Sequence, residues 1–264
     1  MDPPPSARMC VAFLGSGSAG NATAVECGGR CVLVDCGFSA RETVRRLESC
    51  GIAREAVEAV LLTHEHGDHV RGVEVLARRL GLPVLATEGT LRRARVGGAG
   101  GERVRAGEVV AVGGLRVTVF PASHDAADPV GFAFRSPCGG SFGMATDTGA
   151  LTPEALEALS ECEWVGLETN HDVGMLVEGP YPWFLKRRIL SERGHLSNAA
   201  AAEALERLAA GRTRRVVALH LSRTNNTPDA ALAALTARAE ELSLPLSIGA
   251  VGQDRPRLCS PEAA

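Results

Sequence analysis

Three imidazoles and the Asp68 carboxylate stand within six residues in the segment His64-Glu65-His66-Gly67-Asp68-His69. Imidazole and carboxylate are good ligands for Zn²⁺, and also for Mn²⁺ or Fe. An apolar run over Ala59–Thr63 predicts a buried strand that delivers the segment. In a loop leaving that strand, His64 and His66 can face one ion. Asp68 and His69, at the start of the next helix, can face a second. The competing reading is a solvated polar turn, and the density of ligand-type residues disfavours it. Each ion needs further donors. His124, Asp147 and His220 each follow an apolar run and could close the two sets. Two cations about 3.5–4 Å apart share a hydroxide and lower its pKa towards neutrality, and such a hydroxide can attack phosphorus. The ions would also screen the phosphate charge.

Residues so far apart in the chain need a framework that brings strand ends to one rim. Apolar runs separated by Gly-rich turns predict strands at Met9–Leu14, Thr23–Glu26 and Cys31–Asp35. Ser39, with Glu42 three residues on, predicts a capped helix to about Ser49. A helix is expected over Asp68–Leu80 and a strand over Pro83–Ala86. Strands at Val109–Val112, Leu115–Phe120, Gly131–Phe134 and Phe142–Thr146 follow. Helices are expected at Pro153–Ser160, Pro182–Glu192, Ser197–Ala210 and Pro228–Leu242. Between them fall strands at Trp164–Glu168, Val216–Leu219 and Leu246–Ala250. Strands interleaved with helices in both halves predict an α/β protein, an αββα sandwich of two sheets flanked by helices. The Gly- and Arg-rich stretch Arg92–Arg105 reads as a mobile loop. One domain over residues 9–258 is expected, with loose ends at 1–8 and 259–264.

The chain has 264 residues, a net charge of −3 and 45% hydrophobic residues, the profile of a globular protein with a substantial core. No apolar run is long enough for a membrane span, and no secretory signal is visible, so a cytoplasmic location is expected. The eight cysteines include no C-x-x-C pair and read as reduced thiols. Net charge argues against a polyanion-coating protein, while leaving room for basic residues along one groove. Of the 28 basic residues only Lys186 is lysine, which reads as coding bias.

The H-x-H-x-D-H pattern at His64, His66, Asp68 and His69, followed in order by His124, Asp147 and His220, resembles the metallo-β-lactamase superfamily. The resemblance implies the metallo-β-lactamase fold and two divalent ions. His64, His66 and His124 would hold one ion, and Asp68, His69 and His220 the other. Asp147 would bridge them, and Asp68 would also serve in catalysis. Further segments are more specific: Glu168-Thr169-Asn170-His171-Asp172, Gly194-His195-Leu196-Ser197-Asn198, and His220-Leu221-Ser222 with Asn225-Asn226. They are similar to the YycJ (WalJ) family of exonucleases, over about Val11 to Pro228. That likeness implies 5′-to-3′ action on DNA and a link to mismatch repair. Similarity to tRNase Z-like proteins implies that Glu168 orients His195.

His195 could protonate a leaving oxygen, or merely cap or pack. Ser16, Ser18 and Asn21, in a Gly-rich loop at a strand end, suit a phosphate or a plain turn. Ser197 caps a helix whose N-terminus favours an anion. His171 could touch substrate or brace a ligand, and Ser222 and Asn225 complete the expected substrate contacts. Tyr181, Trp183, Phe184 and Lys186–Arg188 suit a strand-binding groove, although an amphipathic helix would read the same. The rival functions are an RNA or small-molecule phosphodiesterase, a thioester hydrolase of the same fold, and a non-catalytic metal-containing regulator that binds DNA or a partner. The chain lacks the long insertion of the β-CASP nucleases between Asp147 and His220. Oligomeric state is left open.

Overall fold

The computed structural model describes residues 9–94, 96 and 100–259. The first half of the chain supplies β1 (Met9–Gly15), β2 (Ala22–Cys27), β3 (Arg30–Val34), α1 (Ala40–Ser49), β4 (Val57–Leu61), α2 (Gly67–Val70), α3 (Val73–Leu80), β5 (Val84–Ala86), α4 (Glu88–Ala94) and β6 (Gly101–Arg103). Then come β7 (Val109–Val112), β8 (Leu115–Pro121), β9 (Val130–Arg135), β10 (Ser141–Ala145), α5 (Pro153–Ser160), β11 (Trp164–Glu168), α6 (Val173–Glu178) and α7 (Trp183–Ile189). The chain continues through α8 (Asn198–Ala210), β12 (Arg215–Leu219), α9 (Pro228–Glu241), β13 (Ser247–Ala250) and β14 (Arg257–Cys259).

Two seven-stranded sheets result, in the orders β14-β1-β2-β3-β4-β5-β6 and β13-β12-β11-β10-β9-β8-β7. Strands β3, β4 and β5 are parallel, as are β10, β11 and β12, while hairpins flank both sets. Each sheet is therefore mixed. Side chains from the inner faces, such as Phe13, Val34, Leu61, Phe132 and Leu219, form a central layer. A second cluster lies under α1 and α3, around Leu14, Leu47 and Leu76. A third lies under α5, α8 and α9, around Leu159, Leu205 and Leu235. The outer helices cover the sheets because small and branched residues recur at helical spacing on their inner faces. Each side chain fully buried in these layers contributes about 1.5–3 kcal/mol. The expected αββα sandwich is what forms.

Several elements differ from the sequence expectation. The helix expected over Asp68–Leu80 is two helices broken at Gly72. A Cβ there would lie 2.2 Å from the Phe38 carbonyl oxygen, so only glycine lets the backbones approach. The stretch Arg92–Arg105, read as a loop, includes the end of α4 and all of β6. Arg95, in that stretch, lies outside the described residues. The helix placed at Pro182–Glu192 ends at Ile189. Cys259, assigned to a loose end, pairs with Val11 in β14. The expectations for residues 1–8 and 260–264 lie outside the described residues.

One buried arginine ties the first helix to the rim. Arg46 is 10% exposed at its side chain, and its Nε donates to Glu42 at 2.6 Å. Its Nη1 donates to the Leu14 oxygen at 2.6 Å and the Gln253 oxygen at 2.9 Å. Gln253 in turn donates to the oxygens of Gly17 and Gly20. Arg46→Met leaves two buried carbonyls without a donor, an expected cost of about 1–3 kcal/mol. Thermal unfolding should show a drop of about 2–4 °C per kcal/mol for a chain of this size. An unchanged midpoint would remove this role.

Candidate metal centre

Every residue expected to hold metal follows the carboxyl end of a strand at one rim. His64, His66, Asp68 and His69 follow β4, and His124 follows β8. Asp147 follows β10 and His220 follows β12. The parallel runs β3–β4 and β10–β12 point their carboxyl ends the same way, where open α/β sheets build their crevices. The side chains meet. Donor atoms of His64, His66 and His124 lie within 4.8 Å of one another, and so do those of Asp68, His69 and His220. Asp147 stands between the two sets, grouped with His64 and His69. Its Oδ2 is 2.9 Å from His69 Nε2, and its Oδ1 is 3.9 Å from His124 Nε2.

The outward ring atoms are held, and two of the inward ones, on His64 and His220, are left without a partner. His124 Nδ1 meets the Gly194 oxygen at 3.0 Å, and its Nε2 is 3.3 Å from His66 Nδ1. His69 Nδ1 meets Asp35 Oδ2 at 2.8 Å. His220 Nδ1 meets Glu168 Oε1 at 2.9 Å. His64 Nδ1 lies 3.0 Å from the Thr63 hydroxyl. The inward Nε2 atoms of His64 and His220 are buried without a hydrogen-bond partner. Braced at one nitrogen and bare at the other, these two imidazoles are arranged as metal ligands are. The residues present thus fit a pair of divalent cations, one at each triad.

The electrostatics agree. Burial alone would push His69 down, but Asp147 and Asp35 hold it well above its ordinary range. His220 is raised to about 10 against its burial, chiefly by Asp147. Burial pushes His64 well down, to the neutral form that ligation requires. Burial opposes the ionised form of Asp147, yet His220 and His69 hold it well below the usual carboxylate range. Three carboxylates, Asp35, Asp147 and Glu168, are enclosed here. A field that keeps buried histidines charged also favours a cation.

Backbone strain concentrates at the same place. Asp35, Asp147 and His220 have φ of 60°, 51° and 54°, the left-handed region that costs non-glycine residues energy. Their carbonyl and amide partners fix them there: Asp35 N donates to the Leu61 oxygen, and His220 N to Ser16 Oγ at 2.8 Å.

Asp35 is a candidate positioning residue, behind His69, that the sequence reading missed. The one available signal was an acid at a strand's carboxyl end, the same placement as Asp147. Thr63 donates to both of its oxygens, at 2.9 Å each. Asp35→Asn tolerates the same backbone but removes the charge behind His69. Metal affinity is expected to fall about 10–100-fold, measured by competition with a chromophoric chelator. An unchanged affinity would show that His69 needs no such partner.

His195, Glu168 and the other expected residues fall into three groups. His195 Nδ1 is 2.8 Å from Glu168 Oε1 and 3.6 Å from Asp147 Oδ1. Glu168 is wholly buried and also accepts from Thr148 N at 2.6 Å. Burial lowers His195, but Glu168 outweighs it and raises the ring above its ordinary range. Ser18 and Ser222 line the cleft of about 200 Å³ that opens onto His124 and His195.

The five other expected substrate contacts are not among the residues that line that cleft. Ser16 is buried and braces His220. Asn21 is buried, with its Nδ2 3.2 Å from Asp68 Oδ2 and 2.9 Å from His69 Nε2. Gly37 packs so closely here that a Cβ would lie 1.6 Å from the Asp68 oxygen. Ser197 Oγ accepts from Ala200 N at 3.1 Å as a helix cap. Asn225 is 0% exposed. His171 is likewise buried, and burial pushes it down to about 4. A larger hollow of about 760 Å³ lies between the second sheet and α5, and shares no residue with the metal centre.

The family described as Beta-lactamase superfamily domain matches residues 30–221. The Exodeoxyribonuclease WalJ of Streptococcus pneumoniae serotype 2 (strain D39 / NCTC 7466) is 35% identical over 226 residues, 83% of this chain and 84% of that protein. The Exodeoxyribonuclease YycJ of Bacillus anthracis is 35% identical over 233 residues, 86% of this chain and 88% of that protein. Among solved structures, the metallo-beta-lactamase fold protein YhfI from Bacillus subtilis superposes with a TM-score of 0.72 at 14% identity. It covers 96% of this chain and 100% of its own. The chain belongs to the metallo-β-lactamase superfamily and, within it, to the family of these WalJ and YycJ proteins.

Proposed function

We propose that this protein is a metal-dependent exodeoxyribonuclease that degrades DNA from 5′ to 3′. The observation that carries the reading is the convergence of two donor triads on Asp147, beside a histidine held by a buried glutamate. The activity named in its relatives, WalJ and YycJ, supports it. His64, His66 and His124 would hold one cation, Asp68, His69 and His220 the second, and Asp147 both. When bound, a pair of divalent ions (Zn²⁺ or Mn²⁺, with Fe also suited to the donors) supplies Lewis acidity and acidified water.

The chain's own groups do the rest. The carboxylates of Asp68 and Asp147 hold the centre in one geometry. Glu168 accepts the Nδ1 hydrogen of His195 and keeps that ring protonated. His195 Nε2 then gives its proton to the departing oxygen of the strand. Ser18 and Ser222 meet the substrate in the cleft. No helix among the described residues is long and apolar enough to cross a membrane. We place the protein in the cytoplasm, in DNA repair.

End-labelled duplex DNA, single-stranded DNA and RNA, degraded side by side during metal titration, test the reading. Metal-dependent release of nucleotides from a DNA 5′ end is the expected result. Faster cleavage of RNA, or none of any substrate, would contradict it.

A further inference from the structure

We infer that helix α7 is a platform for a single-stranded stretch of the nucleic-acid substrate, with Trp183 and Phe184 stacking on bases and Arg187 and Arg188 taking phosphates. The inference rests on the phosphodiesterase reading above and adds how the strand reaches the metal centre.

The large apolar side chains are mostly buried, and Phe184 and Trp183 are the two most exposed among the described residues, at 76% and 62%. They are adjacent on one short helix. The opposite face of that helix is tied down. Ile189 is buried, and Lys186, also buried, donates from Nζ to the Val177 oxygen at 2.6 Å. Lys186 therefore adds no surface charge, and the arginines remain. Phe184 and Arg188 are four residues apart, so they share a face. Phe184, Arg187 and Arg188 line a surface hollow of about 360 Å³.

The helix is also a wall of the catalytic cleft, to which it contributes Leu185, Arg188 and Ile189 beside His124 and His195. Arg188 Nε donates to Asp125 Oδ2 at 2.6 Å. The other oxygen of Asp125 is 3.4 Å from His124 Nε2. Aromatic faces, the Arg187 and Arg188 guanidinium groups and a candidate metal ligand thus follow one another along a single path. An exposed aromatic pair alone would equally suit a lipid or a protein. Flanking arginines and continuity with a phosphodiester-cleaving centre favour a strand, whose bases stack on aromatics and whose phosphates pair with arginine.

The double variant Trp183→Ala with Phe184→Ala tests this. Both side chains are exposed, so their loss leaves the core intact. The KM for a labelled single-stranded oligonucleotide should rise about tenfold, with kcat little changed, as loss of a stacked base implies. Binding of oligo-dT and oligo-U, read by fluorescence anisotropy, should weaken by a similar factor. Unchanged KM and affinity would overturn the inference and give the aromatic pair to a protein partner or lipid surface. A matching loss of bis-p-nitrophenyl phosphate turnover would also overturn it, because the damage would then lie at the metal centre. The anisotropy arm needs no turnover. Wild-type protein that binds oligonucleotide through these residues but never cleaves it would sink the nuclease reading and leave this one standing.

Discussion

Asp147→Asn protein is expected to fold, to lose metal, and to hydrolyse phosphodiesters at least about 10³-fold more slowly than the parent. Asparagine suits the left-handed backbone at this position, where φ is 51°. The variant therefore keeps the shape and removes the charge. Among the described residues, Asp147 is the carboxylate within reach of both triads, 2.9 Å from His69 Nε2 and 3.9 Å from His124 Nε2. It is 3% exposed and ionised in spite of burial, so its charge is directed at the cluster. A two-cation centre is worth several kcal/mol of charge stabilisation, and about 1.4 kcal/mol is a factor of ten in rate. Circular dichroism, metal content and turnover should be measured on one preparation. Full activity in the folded variant would remove Asp147 from the mechanism.

The second large effect is expected at His195. His195→Ala should lower kcat on DNA by about 10²–10⁴-fold while leaving bound metal in place, the usual worth of a positioned acid. The ring belongs to neither donor triad, although it groups with Asp147, Glu168 and His220, and its side chain is 23% exposed, so both triads remain complete without it. Its Nδ1 is committed to Glu168 at 2.8 Å, which leaves Nε2 to donate. The readout that separates an acid from a packing residue is the leaving group. p-Nitrophenolate departs without a proton, so an ester with that leaving group should lose far less rate than DNA. Equal losses on both substrates would show that His195 does not protonate the leaving oxygen. Glu168→Gln is a broader lesion, because Glu168 also braces His220 at 2.9 Å and accepts from Thr148 N.

The cluster of candidate metal ligands was legible because its signal is local and repeated. Four of them fall in one six-residue segment, and the other three each stand just past an apolar strand that predicts its own direction. Orientation was harder to read. Asp35-Cys36-Gly37 looks like an ordinary turn, and only the fold brings Asp35 behind His69. The Gly-rich loop containing Ser16 and Asn21 suits a phosphate or a turn equally well. In the fold they contact residues 47 and 204 positions away, Asp68 and His220, which no local pattern records. Helix-breaking at Gly72 depends on how closely Phe38 passes, which no periodicity records. Strand β14 was invisible for a similar reason. Its three residues carry no pattern and become a strand by pairing with β1 at the far end of the chain. The reading of α7 as either an amphipathic helix or a strand groove left open a question that burial answers in part. Lys186 and Ile189 turn inward, and the aromatic pair turns out.

The proposed chemistry requires two cations held side by side by these residues. Anomalous diffraction from crystals of the metal-loaded protein measures that directly. Two peaks are predicted, one in contact with His64, His66 and His124, the other with Asp68, His69 and His220, and both within reach of Asp147. A single peak, or metal bound away from Asp147, would contradict it.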